Sequence, residues 1–449
     1  MSARTDTIAA IATASGRGAV GMLRISGPQA AAIAEQLAGT LPQPRKAGLR
    51  DFRDGDGNVI DSGLVLYFPA PNSFTGEAVI ELQGHGGPFV LDLLLQSACA
   101  AGARPARPGE FSERAFINGK LDLAQAEAIA DLIDAGSAAA VRAASRSLHG
   151  EFSRHVAAMV ETLISLRADL EAALDFADED VPWLNGTQLG DRLRQLTAAL
   201  TDVLQRATQG RRLREGLTVA IAGRPNVGKS TLLNHLSGTE AAIVSPQAGT
   251  TRDVLREHLV FAGLALTVLD TAGLRDTDDA IEREGIRRAW AALAQAELAL
   301  FVADDNQGLT AEDRVLLAQL PADLPVLLLF NKCDLSGQTA GRCGDVDQWS
   351  ALRVSAAEDL GFTELAAEIR TRAGIADVGA DAFTARARHL DALRLAQNHV
   401  DAAMKQVNAA PELVAEELRL AQQALDEITG RFNSDDLLGR IFSRFCLGK

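Results

Sequence analysis

The chain of 449 residues is longer than a single hydrophobic core supports and suggests about three domains. Its 47% apolar and 4% aromatic content, with abundant Ala, excludes a chain dominated by disorder and fits a helix-rich protein with a small-residue core. With 44 basic against 59 acidic residues the formal net charge is −15, which excludes attraction of the whole surface to nucleic acid and leaves room for a local basic patch.

The first apolar run, Thr7 to Ala14, is short, weakly hydrophobic and abutted by Asp6, so it is not expected to act as a leader. No later stretch approaches the roughly 18 continuous apolar residues of a membrane span, so any membrane role would be peripheral. Residues 1–118 mix short β-like runs with turns, at Ala19 to Gly27 and at Gly63 to Gly87, and read as a small α/β domain. Cys99 in this stretch, with Cys333, Cys343 and Cys446 further on, shows neither metal-ligand spacing nor disulfide density, which fits a reducing cytoplasm.

From 119 to 215 the chain turns Ala-, Leu- and Glu-rich, with apolar residues at helical spacing, as in LDLAQAEAIADLIDA and VETLISLRADLEAAL. A basic, turn-like segment, Gln209 to Gly216, closes this part. Residues 216–377 then alternate strands and helices in the α/β manner. Residues 378–449 return to helix. The expected fold is therefore multidomain: an N-terminal α/β domain and a discontinuous helical bundle, the bundle interrupted by an inserted, doubly wound P-loop domain.

The inserted segment carries the chemistry. An apolar strand, Leu217 to Gly223, runs into GRPNVGKS and on into a helix, the context that a phosphate-binding loop requires. Gly223 and Gly228 free backbone N–H groups to wrap phosphates. Lys229 can reach the β- and γ-phosphates, Ser230 can ligate magnesium, and Asn226, Val227 and Thr231 complete the loop. LALTVLDTAG ends a second strand at Asp270, placed to act on magnesium through water, with Thr271, Ala272 and Gly273 beside the γ-phosphate. In AGTTRDV, Thr251 can ligate magnesium when a γ-phosphate is present.

A third strand leads into NKCD, Asn331 to Asp334. Asp334 can accept hydrogen bonds from the guanine ring N–H and exocyclic amine together, which adenine does not offer, so the base is guanine. Lys332, and Ser355, Ala356 and Ala357 after a later strand, belong to the same base-reading region. Each motif alone is also an ordinary loop; their order and spacing argue otherwise. After DTAG comes Leu274, where many GTPases place a water-orienting Gln, so hydrolysis needs another polar group. Arg275, Asp276 and Glu282 are the candidates. A regulatory GTPase would share all of these motifs, and the flanking segments must discriminate.

Those flanks, from RGAVGMLRISG through NSFTGEAVIELQGHGG, ARPGEFSERAF and KLDLAQAEAIADLI to the terminal FCLGK, closely resemble the MnmE (TrmE) family of tRNA-modification GTPases along the whole chain. The resemblance implies an N-terminal tetrahydrofolate-binding domain that also dimerises the protein. It implies an FAD-dependent partner of the MnmG (GidA) type and a carboxymethylaminomethyl-type group built at C5 of the tRNA wobble uridine. Potassium would be held by Asn226, Ser245, Gln247 and Thr250 as two G domains meet, with Ser245 and Thr250 also at the nucleotide. Glu282 would orient the attacking water. A 5-formyltetrahydrofolate or related folate would be bound by Arg24, Glu81, Lys120 and Lys449, and Cys446 in the Cys-x-Gly-Lys ending would be a possible modification site. Ser245, Gln247 and Leu447 depart from the residues most common in relatives.

Overall fold

The computed structural model describes residues 6–175, 186–238, 256–270, 296–375, 382–407, 410–430, 441–442, 445 and 448. The chain divides into two compact units, one of Met1–Ala130, Ser147–Thr197 and Ala392–Lys449, the other of Asp131–Arg146 and Ala198–Asp391.

In the first unit, β1 (Ile8–Ile11), β2 (Gly18–Ser26), β3 (Gly48–Arg53), β4 (Val59–Phe68), β5 (Val79–Gly86) and β6 (Arg104–Pro105) form one sheet in the order β3-β4-β5-β2-β1-β6. Only the β1 and β6 pairing is parallel. The period of two decides the faces: Leu23, Ile25, Ile80 and Leu82 are buried with Ile33 and Leu37 of the helix Ala30–Ala38 and Leu94 of the helix Pro88–Ala100. The intervening Met22, Arg24, Glu81 and Gln83 fall on the opposite face, and Arg24 sits directly across from Glu81 in the β2 and β5 register. The helix Glu151–Asp175 packs on the helix Pro411–Thr429. Val414, Leu418, Ala421, Leu425 and Ile428, at alternating four- and three-residue spacing, are all buried there.

In the second unit, β7 (Leu217–Ala222), β8 (Arg256–Phe261), β9 (Leu264–Asp270), β10 (Leu298–Asp304), β11 (Val326–Asn331), β12 (Gly341–Val346) and β13 (Trp349–Val354) are ordered β12-β13-β11-β10-β7-β9-β8. The five central strands run parallel. Every residue of β10 and β11 is buried, as continuous apolar strands covered on both faces must be. One face carries the helices Lys229–Gly238 and Phe362–Arg372, the other the helix Ala311–Gln319. After β7 the chain goes to β8 and β9 on one side, then crosses to β10 and β11 on the other. The carboxyl end of β7 is thus the switch point where such sheets bind ligands.

The segment Gln209 to Gly216 is not a turn. The helix Gly186–Glu215 continues through it and ends at Gly216, φ 72°. The reason is tertiary: a Cβ on Gly210 would stand 1.7 Å from the Phe383 carbonyl oxygen, so a small residue inside the helix lets the returning chain pass against it. The arginines that looked turn-like are bonded: Arg211 to Glu215, Arg212 to Glu297, and Arg214 Nε to Asp131 at 2.7 Å. Arg386, on the returning segment, donates to the same Asp131 oxygen at 2.8 Å. The chain's way into the sheet and its way out are therefore pinned side by side. No helix among the described residues is long and apolar enough to cross a membrane.

Candidate nucleotide site

The phosphate loop follows β7 and feeds the helix Lys229–Gly238. Gly223 takes φ +139°, and a Cβ there would lie 2.2 Å from the Val302 carbonyl, so the loop can leave the sheet only as glycine. Asn226 also has positive φ, 66°, and is exposed, as are Ser230 and Thr231 at the start of the helix. Val227 is buried and anchors the loop underneath. Lys229 turns its ammonium back onto the loop, donating to the Gly223 and Arg224 carbonyls at 2.7 Å each. A cation is thereby centred inside a ring of backbone groups at a helix N-terminus, the arrangement that receives phosphate.

Asn331, the last residue of β11, is 3% exposed and ties three loops together. Its Nδ2 donates to the Val227 carbonyl at 3.0 Å, and its Oδ1 accepts from the Ala356 amide at 3.1 Å. Lys332 takes a left-handed conformation, φ 69°, and places Nζ 2.8 Å from both the Asn226 carbonyl and Asp304 Oδ2. Burial alone would raise the Asp304 carboxyl, but the hydrogen bonds from Lys332 and Asn306 and the lysine charge hold it below the usual carboxylate range. Asp334 lies in the first turn of the short helix Cys333–Ser336 with its carboxylate exposed. Ser355 is fully buried and exchanges backbone hydrogen bonds with Leu360, while its hydroxyl accepts from the Glu358 amide. Ala356 is buried and Ala357 exposed.

Sequence reasoning missed Arg224, the second residue of the loop. Its Nε bonds the fully buried Asp313 at 2.9 Å and its Nη2 bonds Gln307 at 2.9 Å, and Asp313 also completes a capping box with Thr310. The signal was available as a Thr-x-x-Asp opening a helix, but nothing local joined it to the loop. Asp270 ends β9 opposite Ile221 in register. Its side chain, and Ser245, Gln247, Thr250, Thr251, Thr271, Ala272, Gly273 and Glu282, lie outside the described residues.

In the first unit, Arg24 Nε and Nη2 both donate to Glu81 Oε1, at 3.1 and 3.0 Å, and Nη1 reaches the Gly448 carbonyl at 3.3 Å. The guanidinium carbon is 5.8 and 5.7 Å from the ring centres of Phe74 and Phe111. The structure therefore brings Arg24, Glu81 and the chain end together. Lys120 is exposed, its stem against Gly76, while Cys446 and Lys449 lie outside the described residues. The ARPGEFSERAF phrase is a buried ion network: Glu110 is fully buried and bonds Arg104 at 2.9 Å, and the 2% exposed Arg114 bonds Glu77 at 3.0 Å and Asp6 at 3.0 Å. Two charges four residues apart on a helix, Glu110 and Arg114, were its trace in the sequence.

Comparison with known proteins matches two successive stretches of the chain. Residues 7–120 match the family description "GTP-binding protein TrmE N-terminus", and residues 123–446 match "MnmE helical domain". The chain is 52% identical over 452 residues to a protein of Proteus mirabilis (strain HI4320) named tRNA modification GTPase MnmE, covering 99% of each chain. A protein of the same name from Pseudomonas paraeruginosa (strain DSM 24068 / PA7) is 53% identical over 455 residues, all of both chains. One from Dechloromonas aromatica (strain RCB) is 52% identical over 449 residues, 99% of this chain and 100% of its own. With matching family descriptions over both parts and half its residues shared with these relatives end to end, the chain belongs to the MnmE (TrmE) family of tRNA modification GTPases.

Proposed function

We propose that this chain binds and hydrolyses GTP in order to help build a carboxymethylaminomethyl-type group at C5 of the tRNA wobble uridine, together with an FAD-dependent protein of the MnmG type. The observation that carries the reading is Asn331, which joins the phosphate loop and the Ser355 to Ala357 loop through one side chain. Phosphate binding and base reading are thereby one rigid construction rather than two loops.

In this reading Lys229 exchanges its loop carbonyls for the β- and γ-phosphates, and Asp334 accepts from the guanine edge. Ser230, exposed at the helix start, and Thr251 are the magnesium ligands, with Asp270 behind them. Asn226, exposed on a left-handed turn of the loop, fits a cation ligand through its amide oxygen; Ser245, Gln247 and Thr250 complete the potassium set. Magnesium and potassium, when bound, supply positive charge against what develops on the phosphates. Glu282 positions the attacking water. The remaining GTP contacts are Val227, Gly228, Thr231, Thr271 to Gly273 and Lys332.

Arg24 and Glu81 belong to a folate site on the N-terminal domain. Arg24 Nε and Nη2 both use Glu81 Oε1, which leaves Oε2 for the N–H groups of a pterin, and the ring of Phe74, 38% exposed, offers an apolar face beside them. Lys120, Lys449 and Cys446 complete that end of the assignment. The domains are 1–118, 119–215, 216–377 and 378–449, and the protein works in the cytoplasm as a homodimer whose G domains pair.

The test is the GTPase rate and G-domain association, with GDP and aluminium fluoride, measured in potassium, sodium and an organic cation at matched ionic strength. Potassium should accelerate hydrolysis and pairing far more than the others, and Asn226→Ala should blunt that stimulation. Equal rates and equal pairing in all three would overturn the potassium mechanism.

A further inference from the structure

We infer that Asp304 is a positioning residue of the nucleotide site: through Lys332 it holds Asn226, and with it the phosphate loop, in the receiving shape before any nucleotide arrives. The inference rests on the function proposed above, and Asp304 lies outside every motif read from the sequence. It ends β10 and stands across from Asn331, the end of β11, in the register of the two parallel strands. Lys332 follows Asn331, and its left-handed turn, φ 69°, sends the side chain back across the strand ends. Its Nζ is 2.8 Å from Asp304 Oδ2 and 2.8 Å from the Asn226 carbonyl.

The carboxylate is fixed on its other side. Asp304 Oδ1 accepts from the Asn306 amide at 3.0 Å and from Asn306 Nδ2 at 3.3 Å, and the Asp304 carbonyl accepts from the Gln307 and Gly308 amides at 3.0 Å each. The turn from Asp304 to Gly308 is therefore closed on itself, with Oδ2 facing the lysine. The Asp304 side chain is 12% exposed, so solvent and salt screen the ion pair less than they would one on the surface. Gln307 of the same turn meets the phosphate loop a second time, accepting from Arg224 Nη2 at 2.9 Å. One turn thus supports the loop at two of its residues, Arg224 and Asn226.

Asn226 needs that support. Its φ of 66° lies in the left-handed region, which a residue with a Cβ enters at a cost. Lys332 bonds its carbonyl, so the contact fixes the peptide between Asn226 and Val227 and leaves Asn226 itself exposed. An ammonium on a flexible four-carbon stem is strongly hydrated when left alone; the carboxylate is what keeps this one against that carbonyl. A loop already in its bound shape gives up less free energy on binding than one its ligand must order. Asp304 therefore raises nucleotide affinity through Lys332 and Asn226.

The experiment uses the full chain and GDP. Affinity is measured by calorimetric titration for the wild type, Asp304→Asn, Asn226→Gly and the double variant, with thermal unfolding of each nucleotide-free protein alongside. Asp304→Asn keeps the shape of the side chain and removes its charge; it should weaken GDP about tenfold, the order of effect of releasing one strained residue. Glycine takes positive φ without strain, so in the Asn226→Gly background the same change should cost less than about threefold. The nucleotide-free unfolding temperature of Asp304→Asn should stay within a few degrees of wild type. Unchanged GDP affinity in Asp304→Asn would overturn the inference. So would an equal loss in both backgrounds, or a loss tracked by a collapse of nucleotide-free stability, since either marks a carboxylate that serves the base-reading lysine or the fold and not the loop. A wild-type chain that fails to bind GDP would bring down the nucleotide reading together with the inference. A wild type that binds GDP while the two substitutions are additive removes Asp304 alone.

Discussion

The side-chain amide of Asn331 stands where a side chain on Gly228 would have to be: a Cβ there would lie 2.2 Å from Asn331 Nδ2. Gly228 also holds φ +99°, so two independent constraints exclude any other residue. Gly228→Ala should weaken GTP and GDP binding by at least tenfold, since strain of about 1–3 kcal/mol falls on the loop that holds the phosphates. Asn331→Ala should also weaken binding by releasing the two loops. Removing the amide relieves the clash, so the double substitution should cost less than the sum of the single ones, and calorimetric titration of all three variants checks this. Simple additivity would show that the two residues do not share the space.

Asp334 is exposed and free to meet a base. Asp334→Asn should weaken GTP and favour xanthosine triphosphate, whose additional carbonyl accepts from the Asn amide. Competition binding with the two nucleotides decides it; unchanged GTP affinity would remove Asp334 from the site.

Arg224 fixes the loop from outside. Arg224→Ala leaves Asp313 buried with Thr310 still donating but its cation gone. The expected cost is about 1–3 kcal/mol of stability, with weaker nucleotide binding, read by thermal unfolding with and without GDP. Arg224→Lys should recover only part, because one ammonium cannot reach both Asp313 and Gln307 as the guanidinium does.

Acid should attack the first unit at Glu110. Burial pushes this carboxyl up, but the Arg104 hydrogen bonds, the Arg107 amide and the charges of Arg104 and Arg114 outweigh it and bring the pKa down from 4.5 to about 2. The folded value lies below the unfolded one. Its contribution, roughly 3 kcal/mol, is therefore complete above pH 4.5 and is lost as the pH falls through about 2. Glu110→Gln should lower stability at neutral pH and flatten the acid limb of the unfolding curve between those values.

Legibility followed locality. The phosphate loop, NKCD and the all-buried β10 and β11 announce themselves because a few consecutive residues carry the whole physical requirement. The role of Asn331 was half legible: its motif was plain, its hold on Val227 and Ala356 was not, because those partners are 104 and 25 residues away. Arg224 with Asp313, and Glu110 with Arg104 and Arg114, are ion pairs whose members each look like surface charge until the fold buries Asp313, Glu110 and Arg114. The Gln209 to Gly216 error has the same origin. Glycine and arginine read as a turn locally, while the passing Phe383 carbonyl is what requires the glycine.

The most direct measurement is nucleoside analysis of tRNA from cells that lack this chain and are complemented with wild-type protein or with Lys229→Ala. Wild-type protein should restore the carboxymethylaminomethyl-type modification of the wobble uridine, and Lys229→Ala, deprived of its phosphate-facing cation, should leave that uridine unmodified. Full modification in the uncomplemented cells, or in cells carrying Lys229→Ala, would contradict the claim that GTP handling by this site serves tRNA modification.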